Sequence, residues 1–144
     1  MNLFLDSSIL IDVLQTNGPQ KSFELISSIQ SGNIGYISVI TVAEVSVGAY
    51  RSPSHVAVQK TNELIANLKV IDLNEKIAKD GGKIQADLIN SGKEIEINDC
   101  LIAATALASG FNTIVTRNID HFARIPGFSA ITPEQIIADD LKKA

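Results

Sequence analysis

The stretch FLDSSILI, residues 4–11, sets a carboxylate between two apolar segments. Leu3, Phe4 and Leu5 read as a short buried strand, and Ile9, Leu10 and Ile11 as part of an apolar helix. Asp6 stands at the junction, where a charge close to the core is costly unless it is capped, paired or used. It could serve as a plain helix cap, but Ser7 and Ser8 could cap equally well, so capping alone does not require an acid there.

Outward from this junction the strand–helix alternation continues. Strands are expected at 2–6, 34–38, 69–73 and 112–116, with an edge strand at 128–131. Helices are expected at 7–15, 20–31, 40–50, 54–68, 74–91 and 99–109, then a helical turn near 120–124 and a last helix from Pro133. Ser38 or Thr41, Asn74 and Asn98 are the expected caps, and Gly110 the stop after the small-residue helix. Glu75/Lys79, Lys76/Asp80 and Lys83/Asp87 are spaced for ion pairing along one helix, whose Gly81-Gly82 is expected to weaken or bend it. The alternation predicts an α/β fold, a three-layer α/β/α arrangement with a mainly parallel central sheet, as one domain over residues 1–144. In such folds ligands bind beyond the carboxyl ends of the strands.

Composition narrows the function. With 16 acidic against 12 basic side chains the net charge is −4, so bulk attraction to a polyanion is excluded. A nucleic-acid substrate would need a local basic patch, bound metal cations or a second subunit. A lone cysteine, Cys100, excludes an internal disulfide framework and reads as a small core residue. There is no signal-like leader and no apolar run approaching the ~20 residues that span a bilayer, so a cytoplasmic protein with no membrane segment is expected.

Two further acids repeat the puzzle of Asp6. Glu44, in ITVAEVSVGAY, has Ile40, Thr41, Val47 and Gly48 at helical spacing and no basic neighbour, on a helix apolar nearly all round. Asp99 opens the otherwise uncharged NDCLIAATALA, where it could simply favour the helix N-terminus. Asn118 and Asp120, in VTRNIDHF, follow the fourth strand and could be turn residues. Taken together, the expected fold brings these groups to one rim. Carboxylates gathered there repel one another unless protonated or bridged by cations. An all-oxygen set suits Mg2+ or Mn2+ rather than Zn2+, and such sites hydrolyse phosphodiesters.

FLDSSILID (4–12), ISVITVAEVSVGA (37–49), INDCLIAATALASG (97–110) and IVTRNIDHF (114–122), in this order, resemble the PIN-domain nucleases, especially the VapC-type toxins of toxin–antitoxin pairs. The resemblance implies an endoribonuclease with an acidic pocket binding Mg2+ or Mn2+, commonly a homodimer, silenced by an antitoxin protein. By motif position Asp6, Glu44 and Asp99 look like the three core acids, with Ser8 and Thr116 as supporting hydroxyls. Asn118 stands where many relatives carry Asp. It would offer a neutral oxygen or position a water, and Asp120 is the alternative for that fourth place. Arg117 is a candidate for contact with RNA phosphate or a surface arginine; Arg51, Lys60 and Arg124 are candidates for a basic rim.

Other residues read more plainly. Asp12 is expected on a solvated helix face or in a dimer contact, Asp72 as a cap or turn, and His55 and His121 in surface or packing roles. Three rivals share parts of the pattern. A receiver-type signalling domain wants paired acids after strand one, and an aspartate-nucleophile phosphatase wants Asp-x-Asp; Asp6-Ser7-Ser8 supplies neither. A degenerate, protein-binding PIN-like module would not need the intact Asp6/Glu44/Asp99 set.

Overall fold

A computed structural model describes residues 1–136. The chain runs β1 (Asn2–Phe4), α1 (Ser7–Leu14), α2 (Gln20–Ile29), β2 (Ile34–Ser38), α3 (Val39–Arg51), α4 (Ala57–Ala66), β3 (Lys69–Ile71), α5 (Glu75–Asn90), α6 (Ile97–Ala108), β4 (Thr113–Val115), α7 (Ile119–Phe122) and β5 (Ser129–Ile131). Residues 133–136 are helical, and the rest of the helix expected from Pro133 lies outside the described residues. Among the described residues no helix is long and apolar enough to cross a membrane.

Every strand pairing is parallel. β2 lies between β1 and β3, with Leu3 opposite Gly35 and Ile37 opposite Val70, and β4 pairs with β5 through Ile114 and Ala130. A single parallel bridge, Leu5 to Val115, joins the two groups into the order β3-β2-β1-β4-β5. Strand alternation then sends side chains to opposite faces. Leu3, Leu5, Ile37 and Val115 meet Ile9 and Leu10 of α1, Leu25 of α2 and Val45 of α3. Phe4 and Ile114 meet Leu88 of α5, Ala103 and Ala106 of α6 and Phe122 of α7. Two cores with the sheet between them make the three-layer α/β/α fold that the alternation implies.

Local chemistry explains the element ends. Ser38 caps α3, its Oγ accepting from Ile40 N at 3.1 Å, and Asn74 Oδ1 caps α5 by accepting from Ile77 N at 2.9 Å. The three i,i+4 ion pairs on α5 all form, at 2.8–3.2 Å. Two expectations need correction. The helix expected from 54 starts at Ala57, because Ser52 Oγ and Ser54 Oγ accept from Ser54 N and Val56 N and hold that segment in turns. Asn98 does not cap α6: buried Ile95 anchors the chain and Glu96 takes the cap position, with no side-chain capping bond. Gly81 is a packing residue, for a Cβ there would come within 2.7 Å of Leu101 Cδ2 and 3.3 Å of Leu101 Cα. Its missing side chain lets α5 and α6 approach closely.

Candidate active site

Asp6 ends the central strand and caps α1. Its backbone is held on both sides, with Leu5 N donating to Tyr36 O and Asp6 N to Val115 O, each at 2.9 Å. The side chain is 2% exposed. Ser8 Oγ and Thr116 Oγ1 each donate to Asp6 Oδ2 at 2.8 Å, and Ser8 N approaches the same oxygen at 3.5 Å. Both hydroxyls are themselves held, because Arg117 N donates to Ser8 Oγ at 3.0 Å and Asn118 N to Thr116 Oγ1 at 2.9 Å. Among the described residues no hydrogen bond reaches Asp6 Oδ1, yet that oxygen is not a buried orphan.

Glu44 lies in the second turn of α3, on the face toward α1. Ser7 Oγ donates to Glu44 Oε1 at 2.7 Å and lies 3.1 Å from the hydroxyl of buried Thr41. Burial pushes the Glu44 carboxyl above its usual range; the Ser7 bond opposes this, and the charges of Asp6, Asp99 and Glu96 add to it. Asp99, in the first turn of α6, has His121 Nδ1 3.2 Å from its Oδ2. Burial again raises its carboxyl, Asp6 and Glu96 add to the rise, and His121 works against it. Neighbouring helices therefore turn three acids onto one rim, close enough to feel each other's charge. Each is anchored through one oxygen, and among the described residues the other oxygen accepts no hydrogen bond.

This donor set suits a hard divalent ion. The three acids offer only carboxylate oxygens, and the nearby Cys100 thiol is buried and pushed up to about 11, first by burial and then by Asp99. Among the described residues no three acidic, histidine or cysteine groups already close into a metal cage. An ion here would keep water ligands, the mode in which Mg2+ is held by one or two carboxylates and a phosphate.

Among the described residues the side chains of the remaining expected residues make no hydrogen bond to the three acids. Asn118 is exposed; its main-chain N–H serves Thr116, and its amide makes no hydrogen bond among the described residues. Asp120 is exposed in the first turn of α7. Arg117 does not reach outward for a phosphate: its guanidinium binds Asp12, Ser22 and Glu134. Asp12 is accordingly half-buried in a polar cluster and not on a solvated face. Arg124 Nη1 donates to Glu94 O at 3.0 Å.

Sequence reasoning missed three contributors. Ser7 was passed over beside Ser8. His121, expected in a surface or packing role, is the partner of Asp99. Glu96 carries a charge felt by both Glu44 and Asp99, and its i,i+3 spacing to Asp99 was the available signal. Beside Glu44, a cavity of about 370 Å³ runs between α1, α3 and α4, lined by Ile11, Leu14, Val45, Ala49 and Thr61, with Lys60 at its wall.

Comparison with known proteins identifies the family. Residues 3–127 match the family model of the PIN domain. A curated relative, Ribonuclease VapC2 of Rickettsia felis, is 31% identical over 127 residues, covering 88% of this chain and 93% of that protein. The solved structure of VapBC2 from Rickettsia felis bound to a promoter DNA fragment superposes with a TM-score of 0.77 at 28% identity, over 92% of this chain and 98% of that one. A toxin–antitoxin complex from Klebsiella pneumoniae gives 0.69 at 27% identity, over 91% and 97%. The parallel sheet, the acids at its carboxyl rim and a family match over most of the length lead to one assignment: the chain belongs to the PIN-domain family, among its VapC-type members.

Proposed function

We propose that this chain is a divalent-metal-dependent endoribonuclease, the toxin of a type II toxin–antitoxin pair. The observation that carries the reading is the convergence of Asp6, Glu44 and Asp99 at the carboxyl rim of the sheet, each seated through one oxygen. That this happens in a PIN-domain chain whose relative over nearly its full length is a ribonuclease supports the choice of RNA. One nuclease domain, acting in the cytoplasm, is the arrangement proposed.

Mg2+ or Mn2+ held by Asp6, Asp99 and Glu44 would supply a more acidic water and neutralise charge on the scissile phosphate. The protein's own part is positional. Asp6 is held rigidly because its strand and its two hydroxyl donors are all anchored, as a precise ligand must be. Glu44, its carboxyl raised by burial, is suited to orient a water or accept a proton. Asn118 is left as a neutral neighbour at the pocket edge.

The partner assigned is an antitoxin protein, and the apolar cavity beside Glu44 is the surface assigned to it. A homodimer is proposed through the outer face of α3, where Val47 is 57% and Tyr50 75% exposed and the two lie three residues apart on the helix.

RNA cleavage by the partner-free protein with Mg2+ or Mn2+, beside EDTA and Asp99→Asn controls, tests the reading. Cleavage abolished in both controls is the expected result. Absence of cleavage in the wild type, with no heat of Mn2+ binding, would turn the assignment to a PIN domain retained for protein binding.

A further inference from the structure

Outside the three acids, a second charged cluster surrounds Arg117. Arg117 Nε donates to Asp12 Oδ2 at 2.9 Å, its Nη2 to Ser22 Oγ at 2.7 Å, and its Nη1 to Glu134. Ser22 is fully buried and its hydroxyl donates to the same Asp12 oxygen at 2.7 Å. The guanidinium is thus closed in by α1, α2 and the helix that starts at 133. An arginine meant for phosphate would hold its fork free.

The main chain of the same residue points the other way. Arg117 N donates to Ser8 Oγ, and Ser8 Oγ donates on to Asp6 Oδ2. One residue later, Asn118 N donates to Thr116 Oγ1, which also donates to Asp6 Oδ2. Ser8 and Asp12 are four apart on α1 and share a face. Arg117 therefore lies along one turn of that helix, with its amide on Ser8 and its head on Asp12.

We infer that Arg117 is the positioning residue of the acidic pocket: clamped by Asp12, Ser22 and Glu134, it fixes the loop after β4. That loop sets where Ser8 and Thr116 donate, and so which oxygen of Asp6 remains free. This rests on the proposed nuclease reading. A lysine keeps the charge but not the planar fork that serves Asp12, Ser22 and Glu134 at once.

The test compares full-length, partner-free wild type with Arg117→Lys and Arg117→Met. Glu134→Gln removes only the exposed arm and keeps the fold should the larger changes lose it. Amide NMR shifts of Ser8, Arg117 and Asn118 are recorded without metal. Mn2+ affinity is measured by calorimetry, and kcat and KM for RNA cleavage at several salt concentrations. The expected pattern is shifted amides at Ser8 and Asn118, Mn2+ affinity and kcat each reduced roughly 10- to 100-fold, and KM held within about twofold. Lysine does not rescue, and Glu134→Gln gives the same pattern at smaller amplitude. A raised KM with kcat kept and a shallower salt dependence would make Arg117 an RNA contact and overturn the inference. A lower Tm with Mn2+ affinity and kcat unchanged would make it merely structural. If wild type neither binds Mn2+ nor cleaves RNA, the nuclease reading fails, and the amide shifts alone decide whether the clamp holds Ser8 and Asn118.

Discussion

The Ser7 hydroxyl donates to Glu44 Oε1 across 2.7 Å, so the first residue of α1 holds the acid of α3. Two adjacent serines thus serve two different carboxylates: Ser7 turns to Glu44 and Ser8 to Asp6. Removing the first hydroxyl leaves a half-buried carboxylate with one donor fewer. Ser7→Ala is expected to lower stability by ~1.5–3 kcal/mol at neutral pH, the range for a hydrogen bond to a charged group. Urea unfolding measures it; an unchanged midpoint would mean Thr41 or water replaces the bond.

The raised carboxyls of Glu44 and Asp99 make a pH prediction with a definite sign. Folding raises both above their ordinary values of 4.5 and 3.8, so the folded state holds these protons more tightly than the unfolded chain. Their favourable contribution is complete below those ordinary values and is lost as pH rises through the folded ones. Glu134, lowered chiefly by its hydrogen bond from Arg117, works oppositely and loses its contribution as pH falls. Asp99→Asn removes part of the first effect only. Without divalent ions its Tm should exceed that of wild type at pH 7.5. The difference should shrink toward pH 4, and a constant gap across that range would contradict the assigned cause.

Gly81 and Gly82 are neighbours with opposite expectations. A methyl at 81 meets Leu101 at 2.7 Å, whereas one at 82 meets nothing within 4 Å. Gly81→Ala should cost ~1–3 kcal/mol through overpacking. Gly82→Ala should add ~0.5–1 kcal/mol, since alanine favours a helix interior. Paired denaturation curves settle the comparison.

Thr116→Val keeps the shape and deletes one hydroxyl. Asp6 loses a 2.8 Å donor and Asn118 N loses its acceptor. Under the nuclease reading, cleavage should fall ~10-fold or more with the circular dichroism spectrum unchanged. Wild-type rates in this variant would show that Ser8 alone seats Asp6.

Much of this was legible along the chain because its causes are local. Caps at Ser38 and Asn74, the ion pairs of α5 and the strand–helix junction at Asp6 all depend on residues within four positions. What stayed hidden depends on distant partners. Arg117 meets Asp12 across 105 positions and Ser22 across 95, so its neighbourhood looked like an open loop. His121 finds Asp99 across 22 positions and a turn of chain. Asn98 was the better cap by residue type, yet the burial of Ile95 decided where α6 begins. Tertiary packing overrode local preference there.

The lone bridge between Leu5 and Val115 has a consequence for how the protein is made. Translation delivers residues in order, and Asp6, Glu44 and Asp99 are all synthesised before Val115 and Thr116 exist. The bonds that seat Asp6 from the far half of the sheet span up to 110 residues. A nascent chain stopped short of that point carries every acid but lacks the strand that aligns the first of them. The machinery that synthesises this protein is thereby separated in time from a finished pocket until the second half of the sheet has been made.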